Sequence, residues 1–209
     1  MKFKQLNRRF LLVLTVLLVA FTVQAQSMRS LWLSMPDSLI PYLNREMRTQ
    51  MVNSEGDTIT ASGGLANKSL IVTLSEDYLK AVLTEASMIE MKRFATVKGD
   101  SVVAVVNTFY GPEPESRLDI YDTSWNLLKS RIRLEADIVR PDSMMEDDFN
   151  AINNKMEPII CVYQLSPKDD TLMVAYSLPL LNELDKQQVK AILRERKYNL
   201  PILLQNEVK

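Results

Sequence analysis

The chain has 209 residues, 46% hydrophobic and 24% charged, with a formal net charge of -1, the balance of an ordinary globular protein and not of a disordered or membrane-embedded one. It contains no histidine, one cysteine and five glycines, so the commonest general base, histidine-ligated metal sites and a glycine-rich phosphate cradle are missing or hard to build. Those absences disfavour most familiar enzyme classes.

Residues 1–25 read as a secretory signal peptide. Lys2, Lys4, Arg8 and Arg9 make a basic start, residues 10–21 are apolar except for Thr15, and Val23 and Ala25 stand at the compact positions before a cut ahead of Gln26. The apolar run is about a dozen residues, short of the roughly 20 that a spanning helix needs, so a retained anchor is the weaker alternative and the mature chain is expected to hold no membrane span. Removing those four basic residues leaves 21 Lys and Arg against 26 Asp and Glu, a net charge of -5. Such a balance argues against nucleic acid as a partner, because phosphate binding needs a positive face. Gln26, not a cysteine, opens the mature chain, so export without lipidation, to the periplasm or cell surface, is the expectation. Cys161 has no partner for an internal disulfide and reads, within 159–163, as a small buried hydrophobe; no histidine stands ready to activate it as a nucleophile.

The segment 38–51 places Leu39, Tyr42, Leu43, Met47 and Met51 at mostly helical spacing, with Asp37 or Ser38 as cap and Pro41 in the first turn, so it reads as a short amphipathic helix. Trp32, within Leu31-Trp32-Leu33, stays open between core and surface. Residues 53–69 are polar, with Gly56-Asp57 and Gly63-Gly64 as turn signals around a short strand at 58–61. Strands are expected at 70–74, 78–84, 88–97, 102–110, 117–121 and 125–134, with one or two helical turns as the alternative at 78–84. Lys98-Gly99-Asp100 has the composition of a hairpin turn, and the Val-rich run 102–110 is apolar on both faces and therefore central. In 125–134, Leu128, Ile132 and Leu134 alternate with Lys129, Arg131 and Arg133, the pattern of a sheet with one wet face.

A helix returns after Arg140-Pro141-Asp142. Asp142 or Ser143 would cap it, Glu146, Asp147 and Asp148 occupy its first turns, Met145, Phe149, Ile152 and Met156 recur at helical spacing, and Pro158 ends it. A second hairpin, 159–165 and 171–178, precedes a final helix at 181–196 with Leu184, Val189, Ile192 and Leu193 on its apolar face; residues 200–204 are strand-like. The expected fold is α+β, an antiparallel β-meander over 70–134 with flanking short helices. It forms one domain over 26–209, divisible into lobes 26–140 and 141–209.

Acids are the remaining candidates for catalysis, in the clusters Glu113 with Glu115, Glu146 with Asp147 and Asp148, and Asp169 with Asp170. Each also has a structural account, as a proline-rich loop, a helix start and a hairpin turn. Asp119 and Asp122 lack the spacing of a calcium loop and would face opposite sides of a strand, so no metal is expected, and no cofactor. Trp32, Tyr110, Tyr121 and Trp125 would either pack in the core or line a groove for a glycan or peptide, and strict alternation puts Trp125 on the face of Lys129 and Arg131 unless the hairpin bulges. Met144 and Met145 read as helix packing.

Several stretches together resemble an uncharacterised family of secreted Bacteroidetes proteins, grouped as a domain of unknown function. They are Met35-Pro36-Asp37-Ser38-Leu39-Ile40-Pro41-Tyr42-Leu43, Leu74-Ser75-Glu76-Asp77-Tyr78-Leu79, Thr108-Phe109-Tyr110-Gly111-Pro112, and Tyr121-Asp122 with Trp125, and the Gln24-Ala25-Gln26 ending agrees with them. The resemblance implies export and a shared fold, and carries over no active residue. The reading is a non-catalytic binding or interaction module for a protein or glycan partner; the alternative is a glycan hydrolase using two carboxylates.

Overall fold

The computed structural model describes residues 26–41, 43–54, 59–60, 68–156 and 158–206. The expected signal peptide, Tyr42, and the turn signals Gly56-Asp57 and Gly63-Gly64 lie outside them.

The expected meander is present. Strands β1 (Ile59–Thr60), β2 (Lys68–Leu74), β3 (Tyr78–Thr84), β4 (Ser87–Ala95), β5 (Ser101–Tyr110), β6 (Pro114–Asp122) and β7 (Leu127–Ile132) form a seven-stranded sheet in sequence order, every neighbouring pair antiparallel. The turn into β5 closes through Gly99 at φ +91°, a left-handed conformation that glycine adopts without steric cost. Val102 through Val106 are all buried because both faces of the sheet are covered. Val103 and Val105 face one side and Val102, Ala104 and Val106 the other, the period of two that a strand imposes.

The first face is covered by the chain that precedes it. Helix α1 (Met28–Ser34), capped by the Ser27 side chain, and α2 (Arg45–Asn53), capped by Asn44, lay Met28, Leu31, Trp32, Met51 and Val52 onto Ile71, Leu79, Met91 and Val105. The helix expected over 38–51 is corrected here. Asp37–Leu39 is a single 3-10 turn and α2 starts only after Asn44, because the residue before a proline is driven out of the helical region; Ile40, ahead of Pro41, has φ -139° and ψ 78°. Trp32 is fully buried, its indole Nε1 donating to the Arg48 carbonyl at 3.3 Å. Arg48 is itself buried and donates to the carbonyls of Trp32, Met35 and Leu43 while pairing with Asp37.

The second face is covered by the end of the chain. After β8 (Asp137–Ile138) and α3 (Glu146–Asn153), strands β9 (Ile160–Leu165) and β10 (Thr171–Ser177) form the expected hairpin. Helix α4 (Glu183–Lys190) and β11 (Leu193–Arg194), which pairs with β8, lead to β12 (Arg196–Asn199) on the far side of β10, and α5 (Leu200–Asn206) closes the described chain. Tyr163, Leu165, Leu172, Val174, Leu200 and Leu203 meet Phe94, Val106, Leu118, Ile120 and Ile132 in one core.

Three expectations for the chain after β7 are corrected. α3 is capped by Met145 without a side-chain hydrogen bond, since the Pro141–Met144 turn takes up Asp142 and Ser143; Met145 is 72% exposed while Met144 packs. The final helix ends at Lys190, not Arg196, because Arg196 to Asn199 are claimed by pairing with β10, and Leu184 is 68% exposed. The strand-like 200–204 is helical, with Leu200, Leu203 and Leu204 buried at helical spacing and the Asn199 side chain accepting the Ile202 N–H.

The strand expected over 125–134 is shorter and bulged. Ile120 pairs with Lys129 and Tyr121 with Leu127, so Leu128 is an extra residue; Leu118 pairs with Ile132, so two residues, Ser130 and Arg131, oppose Asp119. Bulges of this kind break strict alternation, which is why Leu128 is 47% exposed. Trp125 precedes the strand in a left-handed turn, φ +67°, which swings its ring to the helix-covered face; it tilts against Tyr121, centroids 5.6 Å apart, and donates to Ser34 Oγ at 3.2 Å.

Candidate functional site

Two polar features stand out, one closed and one open. The closed one lies between the sheets on β4, where Glu90 and Lys92 project from the face otherwise occupied by Phe94. Glu90 is 1% exposed, and its Oε1 takes the Lys80 ammonium at 3.0 Å and the Tyr78 hydroxyl at 3.2 Å. Its Oε2 accepts the Leu165 N–H at 2.8 Å, a bond from the first sheet to the edge strand of the second. Burial, reinforced by the Glu90 charge, pushes the Tyr78 hydroxyl well above its ordinary range. Lys92 bonds Asp77 Oδ2 at 2.8 Å. Burial pushes Asp77 up, but its hydrogen bond and charge attraction to Lys92 carry it below the usual carboxylate range. Asp170 feels the same ammonium, yet burial together with the charges of Asp77 and Asp169 holds it above that range. Asp77, which Lys92 bonds, and Asp170, distant in sequence, thus both feel the charge of one buried lysine.

The open feature is a cleft of about 560 Å³ where the end of β5, the start of β6, the tail of β7 and the start of β9 come together. Ile132, Leu134, Ile160 and Tyr163 give it apolar walls, and Phe109, 51% exposed, stands at its mouth. Three arginines, Arg117, Arg131 and Arg133, line it with a single carboxylate, Glu115.

Local bonding makes these walls rigid. The Tyr163 hydroxyl donates to the Ile132 carbonyl at 3.1 Å and accepts the Leu134 N–H at 3.4 Å, while Cys161 Sγ donates to the Leu134 carbonyl at 3.3 Å. Burial, then the neighbouring Cys161, holds the Tyr163 hydroxyl well above its ordinary range, so it stays a donor at neutral pH. Asp119 is buried; it pairs with Arg117 at 2.8 Å and accepts the Arg131 N–H at 2.8 Å, holding that residue at φ +50°. A bulged, left-handed arginine is a costly backbone choice that here re-aims the strand's side chains. Among the described residues the Arg131 and Arg133 guanidinium groups have no acidic partner.

The acid clusters singled out in the sequence do not converge. Glu113 is held by the ammonium of Lys186, whose pKa this hydrogen bond raises, whereas Glu115 lines the cleft. Glu146, Asp147 and Asp148 lie exposed at the start of α3. Asp169 accepts the Thr171 N–H in the hairpin turn, and hydrogen bonding from the Thr171 side chain leads the lowering of its pKa, while Asp170 feels the charge of Lys92. Asp122 closes the turn before β7 by accepting from Ser124, Asn126 N and Asn126 Nδ2, so neither it nor Asp119 is free for a cation. No group of three or more potential metal ligands occurs among the described residues. Cys161 is only partly buried and lines the cleft, a correction to its reading as a core hydrophobe. Tyr110 is largely exposed on β5, whereas Tyr121 is core.

Sequence reasoning missed Glu90, Lys92 and Arg48, and the cleft arginines were read as a plain wet face. Charged residues at alternate positions of a strand signal solvent by default; only the partners, up to 75 residues away for Glu90, show otherwise.

A family model described as a protein of unknown function (DUF3256) matches residues 20–200. A solved domain of an uncharacterized protein from Porphyromonas gingivalis W83 is similar at 23% identity and a TM-score of 0.63, over 81% of this chain and 90% of that one, a likeness that shows the fold alone. No curated protein matches the chain. Unknown function agrees with the resemblance seen in the sequence, as does a neighbour from the Bacteroidetes. No helix among the described residues is long and apolar enough to cross a membrane.

Proposed function

The chain belongs to the DUF3256 family of unknown function, and from that premise we propose that it is an exported, non-catalytic binding module that holds its ligand in the cleft between β7 and β9. The cleft carries this reading: it has apolar walls, a rigid frame and one carboxylate. A hydrolase working with two carboxylates needs a second acid across the scissile bond, and the nearest in sequence, Glu113, is engaged by Lys186. The periplasm or cell surface as destination is supported by the basic start, apolar run and compact ending of residues 1–25. Cleavage after Ala25 would spare every described core residue, since the core starts at Met28 and its helix cap at Ser27.

Cys161 makes the proposal testable, because it is the one thiol of the chain and lines the cleft. The purified protein is alkylated with iodoacetamide in the presence of oligosaccharides, peptides and amphiphiles. The expected result is that one class slows labelling without being chemically altered. Turnover of any glycan, or labelling indifferent to every compound, overturns the proposal.

A further inference from the structure

We infer that the ligand of this cleft is an organic anion with an apolar body, its head group held by Arg131 and Arg133 and its body by the Phe109, Ile160 and Tyr163 walls. The inference rests on the binding reading above and deepens it. From residue 26 on, the chain carries 21 basic against 26 acidic side chains, so its net charge repels anions. The cleft reverses that sign, gathering three guanidinium groups around one carboxylate.

Arg117 is committed to Asp119, which leaves Arg131 and Arg133 as the groups able to receive a ligand. They stand beside an apolar lining, and a planar guanidinium matches the two oxygens of a carboxylate or phosphate better than any point charge does. The volume of about 560 Å³ falls within the roughly 300–1,000 Å³ of small-molecule sites. Glu115 in the lining disfavours a ligand with negative charges along its whole length and favours a single head. An added peptide strand suits the site less well, because β7 is a sheet edge interrupted by two register shifts and Asp119 already takes the Arg131 N–H.

The experiment uses decanoate, decyl phosphate, decanol and acetate, each below any micelle concentration, with calorimetry and Cys161 alkylation as readouts. Decanoate or decyl phosphate should bind and protect Cys161, the preferred one identifying a carboxylate or a phosphate head. Decanol, lacking charge, and acetate, lacking a body, should bind about tenfold more weakly or worse. The double variant Arg131→Asn with Arg133→Gln, with asparagine chosen for its tolerance of positive φ, should lose the preference for the anion while keeping the parent melting temperature. Equal binding of decanol and decanoate, or an unchanged preference in the double variant, overturns the inference. If a neutral oligosaccharide or peptide protects Cys161 and both decyl anions do not, the anion assignment falls while the binding-module reading stands; protection by nothing overturns both.

Discussion

The two faces of the seven-stranded sheet are covered by opposite strategies. The helix-covered face is closed by residues 28–52, which adjoin it in sequence, and the buried charge that this cover brings, Arg48, is satisfied chiefly by backbone carbonyls of that same segment. The other face is closed by β9, β10 and α5, which follow the sheet only after β8 and α3, and it carries Glu90, bonded to Leu165 of that remote cover, beside Lys92, paired with Asp77 of the first sheet. A cover close in sequence needs little specification beyond apolar burial. A remote sheet can dock on an apolar face in several registers, and a buried carboxylate that must meet the Leu165 N–H selects one of them.

The largest effect should come from the local cover. Arg48→Ala strands three buried carbonyls at once, so it should lower unfolding free energy by about 4 to 5 kcal/mol, measured by urea denaturation, and Arg48→Lys should recover little because an ammonium lacks the planar fork. A loss below about 1 kcal/mol would mean that the segment between α1 and α2 closes without it.

Glu90→Ala comes next, at about 3 kcal/mol, since the Leu165 N–H and Tyr78 hydroxyl lose their acceptor while the half-buried Lys80 can reach water. The sharper readout is hydrogen exchange. Protection should fall in β9 and β10 more than in α1 and α2, and a uniform loss would remove the contrast between the faces.

Trp125 offers a smaller test of the same local cover. Its ring is only partly buried, so Trp125→Ala should cost about 2 kcal/mol. Trp125→Gly should cost less than the alanine variant despite removing one carbon more, because glycine relieves the φ of +67°. Thermal melting of the two variants decides it, and the reverse order would show the turn to be unstrained.

The smallest effects are pH-dependent and come from the face that the remote sheet covers, from Asp77 beside β3 and Asp170 before β10. Asp77 titrates below its ordinary value when folded, so its contribution is present at neutral pH and is lost as pH falls through that depressed value. Asp170 titrates above its ordinary value, so it favours the folded state in acid and costs stability as pH rises past the ordinary carboxylate range. Asp77→Asn should therefore lower the melting temperature at pH 7 and Asp170→Asn raise it slightly, with both differences shrinking as the solution is made acidic. Melting temperatures of the two variants shifting in the same direction at neutral pH would contradict the opposite shifts of the two carboxyls.

Much of this architecture was legible in the residues. The strand bounds at Tyr78–Thr84, the double-sided burial of Val102 to Val106 and the β9–β10 hairpin follow from period-two patterning and turn chemistry, which act within a few residues. The α5 signal was also present, in Asn199 as cap, Pro201 in the first turn and leucines at 200, 203 and 204, but an apolar run so short fits a strand as readily.

By itself, then, the sequence determined an α+β fold with an antiparallel meander, the acidic balance from residue 26 on, and the poverty in histidine and glycine that removes common chemistries. Only the tertiary structure decided which charges lie inside, where β7 bulges, and that Arg131, Arg133 and Cys161 border one cleft. The physical reason is range. Propensity and patterning are set by neighbours along the chain, whereas the desolvation of Glu90 and the convergence of β6, β7 and β9 depend on segments that meet only when the second sheet docks.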